Sequence, residues 1–205
     1  MLLCVLAAIL TGYLLGNLNG AVCVSLAMKD DVRSHGSGNA GLTNFIRSYG
    51  ANRALGVILI DAGKAFLACW VGRLLLQSYG YGLEGAAVAG VAVMLGHDFP
   101  ALLGFKGGKG ILSGLFIALA IDWRIGLIIL AVFAVAYLLT WYVSLGSVLA
   151  ATTFSLCFCL LHGDRPLVMI CGAFMGMLTV FMHRQNLVRL FSGQERKTNL
   201  FKKKK

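Results

Sequence analysis

Ala54-Leu-Gly-Val-Ile-Leu-Ile-Asp61-Ala-Gly-Lys64-Ala-Phe-Leu-Ala-Cys69-Trp-Val-Gly-Arg73-Leu-Leu-Leu76 is an apolar run interrupted by only three charges. As a helix rising 1.5 Å per residue it is long enough to cross a hydrocarbon core of about 30 Å. The pattern recurs outward in both directions, near residues 2 to 28, 84 to 103, 110 to 121, 125 to 143, 146 to 162 and 166 to 182, with breaks at polar or Gly/Pro clusters. Composition agrees: of 205 residues 59% are hydrophobic and 13% charged, against about 25% charged in soluble domains, and the mean hydropathy is +0.82. The chain therefore reads as an all-α, polytopic membrane bundle of about seven transmembrane helices. It forms one domain over residues 1 to 205, with residues 198 to 205 as a basic tail. The first 28 residues lack a basic n-region and run past the length of a signal-peptide core, so they are expected to remain as the first span.

Seven spans put the termini on opposite sides, and positive charge chooses which. Fourteen cations fall on one side: Lys29, Arg33, Arg47, Arg53, Lys106, Lys109, Arg184, Arg189, Arg196, Lys197 and Lys202 to Lys205. Three fall on the other, Arg73, Arg124 and Arg165, and Lys64 lies within a span. The C-terminus is thus expected in the cytoplasm and the N-terminus outside. The net charge of +10 resides on the cytoplasmic side, where a tail ending in four lysines suits anionic lipid, at about 1 kcal/mol per basic residue near the surface. Membrane lipid accounts for this charge and nucleic acid is not an expected partner.

Two polar, glycine-rich segments stand out against this background: Gly36-Ser37-Gly38-Asn39-Ala40-Gly41-Leu42-Thr43-Asn44 and Phe105-Lys106-Gly107-Gly108-Lys109-Gly110. Backbone that can present N–H groups, flanked by Lys and Arg, is suited to holding phosphate. The second segment is not a Walker A loop, because Leu103 stands where the first glycine is needed and Gly110 follows Lys109 in place of Ser or Thr. It reads as a static phosphate cradle. His183 and Asn186 are three residues apart and share a helix face, with Arg184 and Arg189 beside them. Asp61 and Lys64 are an intramembrane charge pair, which is either a brace or part of a site. His97 and Asp98 are adjacent and read first as loop-ordering residues and second as site residues. The six cysteines lie in apolar stretches without metal-ligand spacing, so they read as small buried hydrophobes, and neither a metal nor a cofactor is expected.

In order along the chain, these motifs are Arg33-x-x-Gly-Ser37-Gly-Asn39-x-Gly41-x-Thr43-Asn44-x-x-Arg47, Asp61-x-x-Lys64, Gly96-His97-x-x-Pro100 with Phe105-Lys-Gly-Gly-Lys109-Gly110, Tyr142-Val-Ser-Leu-Gly-Ser147, and His183-x-x-Asn186-x-x-Arg189-Leu190-x-x-Gly193-x-Glu195. Together they resemble the bacterial membrane acyl-phosphate:glycerol-3-phosphate acyltransferases, the PlsY family. Departures are Leu42 for the usual alanine, Trp141 for a frequent arginine, and Ile111-Leu112-Ser113 for Val-Ala-Thr. The resemblance implies seven membrane helices in the bacterial inner membrane with a site facing the cytoplasm. It also implies transfer of a fatty acyl group from acyl phosphate to the 1-hydroxyl of sn-glycerol 3-phosphate, giving lysophosphatidic acid and phosphate for phospholipid synthesis. An upstream enzyme that supplies acyl phosphate follows as a partner.

Carried onto this chain, the resemblance gives Ser37 and His183 as catalytic. It makes Arg33, Gly38, Asn39, Thr43, Asn44, Arg47, Lys106, Gly107, Gly108, Lys109, Asn186 and Glu195 the substrate-binding set. Ser37 is expected at the reacting centre, Arg47 and Lys109 on the glycerol phosphate, and His183 with Asn186 orienting that ligand. Two phosphates of about −1.5 to −2 each call for several cations, which Arg33, Arg47, Lys106, Lys109 and Arg184 supply. The general base is either His183 or the acceptor's own phosphate, with a covalent acyl-Ser37 as a third route lacking a Ser-His-Asp signature. Acyltransferases with His and Asp four residues apart are disfavoured, since Ala40, Leu102, Leu167 and Val188 occupy the fifth position after the four histidines. A membrane transporter of a phosphorylated metabolite is the alternative, but neither glycine motif recurs in the other half as a repeat would require.

Overall fold

The computed structural model describes residues 1–200; the lysines of the expected basic tail, Lys202 to Lys205, lie outside the described residues. Among the described residues the regular structure is helical throughout. Ten α-helices follow one another: α1 (Leu2–Gly16), α2 (Gly20–Ala27), α3 (Leu42–Tyr49), α4 (Ala54–Gln77), α5 (Gly82–Asp98), α6 (Ile111–Ile121), α7 (Trp123–Thr140), α8 (Val143–Leu161), α9 (Pro166–Met182) and α10 (Arg184–Phe191). Each apolar run read from the sequence is helical over most of its length, the run at 2 to 28 breaking between α1 and α2 and that at 84 to 103 leaving the α-helix after Asp98. Four stretches are long and apolar enough to cross a bilayer, Ala51–Gln77, Gly82–Leu103, Trp123–Thr140 and Val143–Leu161. The number rises to six if α1 with α2, bent by 42°, and α9 with α10, bent by 54°, each count as one broken span. α6 has only 11 residues and so reaches about 16 Å, half the hydrocarbon thickness. The chain is a multi-pass membrane protein, and its outward leucines, such as Leu160 and Leu139, face the lipid.

Helix α5 is the hub, packed by α1, α4, α6 and α9. Small residues let the backbones approach, as membrane packing requires where apolar side chains gain little from leaving lipid. A Cβ on Gly72 of α4 would strike the Gly85 carbonyl of α5, and a Cβ on Gly85 would strike that of Gly72. Gly16 of α1 and Gly96 of α5 also lie backbone to backbone, where added Cβ atoms would strike the Val93 and Tyr13 carbonyls. Around these contacts Ala65, Ala68, Ala86, Ala87, Val93, Met94, Ile117 and Phe158 form a dry core.

The break between α1 and α2 frees backbone groups that lipid cannot satisfy. Asn17 and Asn19 answer part of this need: Asn17 accepts from the Leu102 amide at 3.0 Å, and Asn19 caps α2 by accepting from Val22 N at 3.1 Å. Lys64 answers the rest. Its Nζ donates to the Leu18 carbonyl at 2.9 Å and lies 3.4 Å from that of Gly16, while Asp61 accepts from the Gly20 amide at 3.2 Å and pairs with Lys64 at 2.7 Å. The pair acts as a brace that docks the broken helix onto α4, and Asp61 also borders the cavity described below.

Candidate functional site

Buried polar side chains hold the segment between α2 and α3, Asn44 with the most bonds: Asn19 donates to the Ala40 carbonyl at 2.9 Å and Ser25 Oγ accepts from the Val32 amide at 3.0 Å. The Asn44 amide nitrogen faces the carbonyls of Val32, His35 and Asn39 at 3.0, 3.0 and 3.1 Å. Its oxygen accepts from the Ser37 amide at 2.9 Å. Gly36 and Gly38 take φ of +60° and +71°, the left-handed region that glycine enters without cost. The result is a tight loop that leaves the Ser37 hydroxyl without a partner among the described residues.

The second glycine segment lies over the end of α5. Gly108 N donates to the His97 carbonyl at 3.0 Å, and the His97 ring lies so close under Gly108 that a Cβ there would meet Nε2. Gly107 leaves equally little room above the His97 and Asp98 carbonyls. These glycines seat the loop, which turns Lys109 inward to donate to Asn186 Oδ1.

At the α9–α10 bend, His183 Nδ1 lies 2.8 Å from the Thr179 carbonyl. A carbonyl only accepts, so Nδ1 carries the proton and Nε2 keeps a lone pair. Asn186 donates to Glu195 Oε1 at 2.9 Å, and Arg189 Nε donates to Glu195 Oε2 at 2.7 Å. From there the chain crosses back as a strap. Arg47 Nε donates to Thr198 Oγ1 at 2.9 Å, the Thr198 amide donates to the Trp141 carbonyl at 3.0 Å, and Tyr137 Oη donates to the Thr198 carbonyl at 2.9 Å.

These pieces enclose one cavity of about 270 Å³. Ser37, Asn39, Thr43, Asn44, Arg47, Lys109, His183, Asn186 and Glu195 line it, nine of the residues expected from sequence. Arg33, Gly38, Lys106, Gly107 and Gly108 lie outside the lining. Arg33 is committed to Asp31 at 2.8 Å and reaches the Leu103 carbonyl, while Lys106 is exposed. Arg184, another expected cation, stacks on Phe181 with its guanidinium 4.3 Å from the ring, and Arg189 lines the cavity in its place. Asp61, read from sequence as brace or site, and His97, read as a site residue only second, both line the cavity; Ser144 and Ser147 were not expected there, nor was the apolar end made by Leu115, Ile129, Leu130 and Phe133. Ser144 and Ser147 sit in a quoted motif at i,i+3, so their shared face was available as a signal; the apolar wall resembles any core.

The electrostatics suit an anion. Burial pushes the Lys109 ammonium down to about 8, helped by repulsion from Arg189 and partly offset by Glu195. Burial also lowers Arg47, against the attraction of Glu195. For Glu195 burial works the other way, but the hydrogen bonds from Asn186 and Arg189 outweigh it and hold the carboxylate below its usual range. A polar, cationic end thus meets an apolar end in a single cavity, the arrangement needed to hold a phosphate beside a hydrocarbon chain.

A family model described as glycerol-3-phosphate acyltransferase matches residues 6–193. The glycerol-3-phosphate acyltransferase of Thermoanaerobacter pseudethanolicus is 38% identical over 194 residues, 94% of each chain. That of Finegoldia magna is 38% identical over 189 residues, 90% of this chain and 91% of its own. The crystal structure of PlsY (YgiH), an integral membrane glycerol 3-phosphate acyltransferase, in its glycerol 3-phosphate form superposes with a TM-score of 0.86 at 30% identity, covering 95% of this chain and 96% of that one. Its lysophosphatidic acid form superposes at 0.83.

Proposed function

The chain belongs to the glycerol-3-phosphate acyltransferase family, and from that membership we propose how its cavity performs the reaction. It is an acyltransferase that acylates glycerol 3-phosphate in phospholipid synthesis. The donor is a fatty acyl phosphate and the acceptor atom is the 1-hydroxyl. The observation that carries this reading is the convergence of Ser37, Arg47, Lys109, His183 and Asn186, from three separate stretches of sequence, on one cavity with an apolar end.

In this reading Arg47 and Lys109 hold the acceptor phosphate, Asn186 positions Lys109, and Asn39, Thr43 and Asn44 shape the loop that presents Ser37. Arg33, Gly38, Lys106, Gly107 and Gly108 contribute by seating the two loops, and Glu195 by orienting Asn186. The acceptor oxygen attacks the acyl carbonyl carbon, the carbon–oxygen bond to phosphate breaks, and inorganic phosphate leaves. Because the donor is an activated anhydride, the site has mainly to position a hydroxyl and stabilise the oxyanion. The lone pair on His183 Nε2 suits it to take the acceptor proton, and the free Ser37 hydroxyl suits it to donate to the oxyanion. No part of this scheme draws on a metal or cofactor.

The whole chain acts as one membrane-embedded acyltransferase domain with seven spans, α6 serving as a half-length one. The N-terminus lies outside the inner membrane of a bacterial cell, and the C-terminus and the cavity mouth face the cytoplasm. An upstream enzyme supplies the acyl phosphate. The test is acyl transfer by the purified protein in lipid, with radiolabelled glycerol 3-phosphate and either palmitoyl phosphate or palmitoyl-CoA. Product from acyl phosphate alone, reduced at least about 100-fold in both Ser37→Ala and Lys109→Ala, is expected. Product from palmitoyl-CoA alone would overturn the donor, and full activity in both variants would overturn the site.

A further inference from the structure

Lys64 is an ammonium with three hydrogens and no lone pair. Three acceptors surround its Nζ at short range: Asp61 Oδ1 at 2.7 Å, the Leu18 carbonyl at 2.9 Å and His97 Nδ1 at 2.7 Å. Both Lys64 and His97 are buried, at 4% and 3% exposure, so water does not compete for these bonds. A nitrogen that accepts from an ammonium carries no hydrogen, so the neutral His97 ring holds its proton on Nε2. That Nε2–H has no hydrogen-bond partner among the described residues, although the ring borders the cavity. His183 lines the same cavity with the opposite tautomer. The two imidazoles thus present one acceptor and one donor, and the mechanism above uses only the acceptor.

We propose that His97 is a further substrate-binding residue, donating its Nε2–H to a phosphate oxygen held in the cavity that its ring borders. Asp61 and Lys64 are positioning residues that fix its tautomer. Gly108 packs directly on the ring, where a Cβ would meet Nε2, so the glycine loop fixes the imidazole in place at the cavity wall. This inference rests on the phosphate-handling role proposed for the cavity.

The decisive experiment is nitrogen-15 histidine spectroscopy of the full chain in lipid nanodiscs, with the His97 signals assigned by their loss in His97→Gln. A protonated Nε2 and a bare Nδ1 are expected, with the Nε2 signal moving when inorganic phosphate or glycerol 3-phosphate is titrated in. A protonated Nδ1, or an Nε2 signal unmoved by both anions, overturns the proposal. Kinetics give a second, independent reading. His97→Asn keeps an acceptor near the Nδ1 position but cannot reach the anion, and it should raise KM for one phosphate-bearing substrate by about tenfold or more. His97→Gln, whose amide N–H reaches further, should recover most of that loss. The substrate whose KM moves identifies which phosphate is contacted, and unchanged KM for both overturns the assignment. If the wild-type protein turned over neither donor, the acyltransferase chemistry would fail while the phosphate titration still decided the role of His97.

Discussion

Lys109 is half-buried among Arg47, Arg184 and Arg189, and burial before all else brings its ammonium down to about 8. A lysine shifted downward is fully charged only below that value, so its grip on a phosphate weakens as pH rises through it. We expect kcat/KM for glycerol 3-phosphate to fall by up to about tenfold per pH unit above pH 8, since this parameter reports the free enzyme. In Lys109→Arg, a lower absolute rate should stay flat through this range because the guanidinium does not deprotonate; a fall at the same pH in that variant would assign the titration elsewhere. At this scale the sequence was informative where residue type alone carries the chemistry. Ser37, Arg47, Lys109, His183 and Asn186 stand out as polar groups in an apolar chain, and all five line the cavity. His97 read as a loop-ordering residue before a site residue, because its partner Lys64 is 33 residues away. Arg33 and Lys106 look alike in sequence to Arg47 and Lys109, and only the fold separates a cation tied to Asp31 and an exposed one from cations that line the cavity.

The helices themselves were legible because a run of twenty apolar residues has few alternatives to a membrane helix. Their interruptions were harder to see. No proline marks the end of α1; the break at Asn17 to Asn19 is stabilised by α4 and the turn after α5 through Lys64, Asp61 and Leu102, partners that no local pattern reveals. Packing of the first helix rests on Gly16, where an added Cβ would meet the Val93 carbonyl and lie 2.7 Å from Gly96 Cα. Gly16→Ala should destabilise the protein by about 1 to 3 kcal/mol through forced separation of α1 and α5. Gly63→Ala is the control, since its Cβ would meet nothing within 4 Å and helix propensity favours alanine. Thermal unfolding in one detergent should show a lowered Tm for the first and an unchanged or raised Tm for the second; equal shifts would refute close packing as the cause.

Across the whole molecule, the 14 cations assigned to one side against three on the other express an orientation as well as a charge. On a background with all six cysteines replaced, an impermeant maleimide should label Asp164→Cys in intact cells and Ser34→Cys only in inside-out vesicles. The reverse pattern would invert the proposed orientation and move the cavity mouth to the outer face. At this scale the sequence could not disclose the strap, since nothing in Arg196-Lys-Thr198-Asn-Leu200 announces that it folds back on Arg47, Trp141 and Tyr137. That strap also bears on how the protein is handled. Leu200 itself borders the cavity, so any affinity handle or fluorescent fusion joined at the C-terminal end begins within a few residues of the substrate's approach. A handle at Met1, which is 60% exposed at the far end of α1 from the docked break, avoids that interference. Preparations that differ only in which end is tagged should therefore differ in apparent affinity for the soluble substrate.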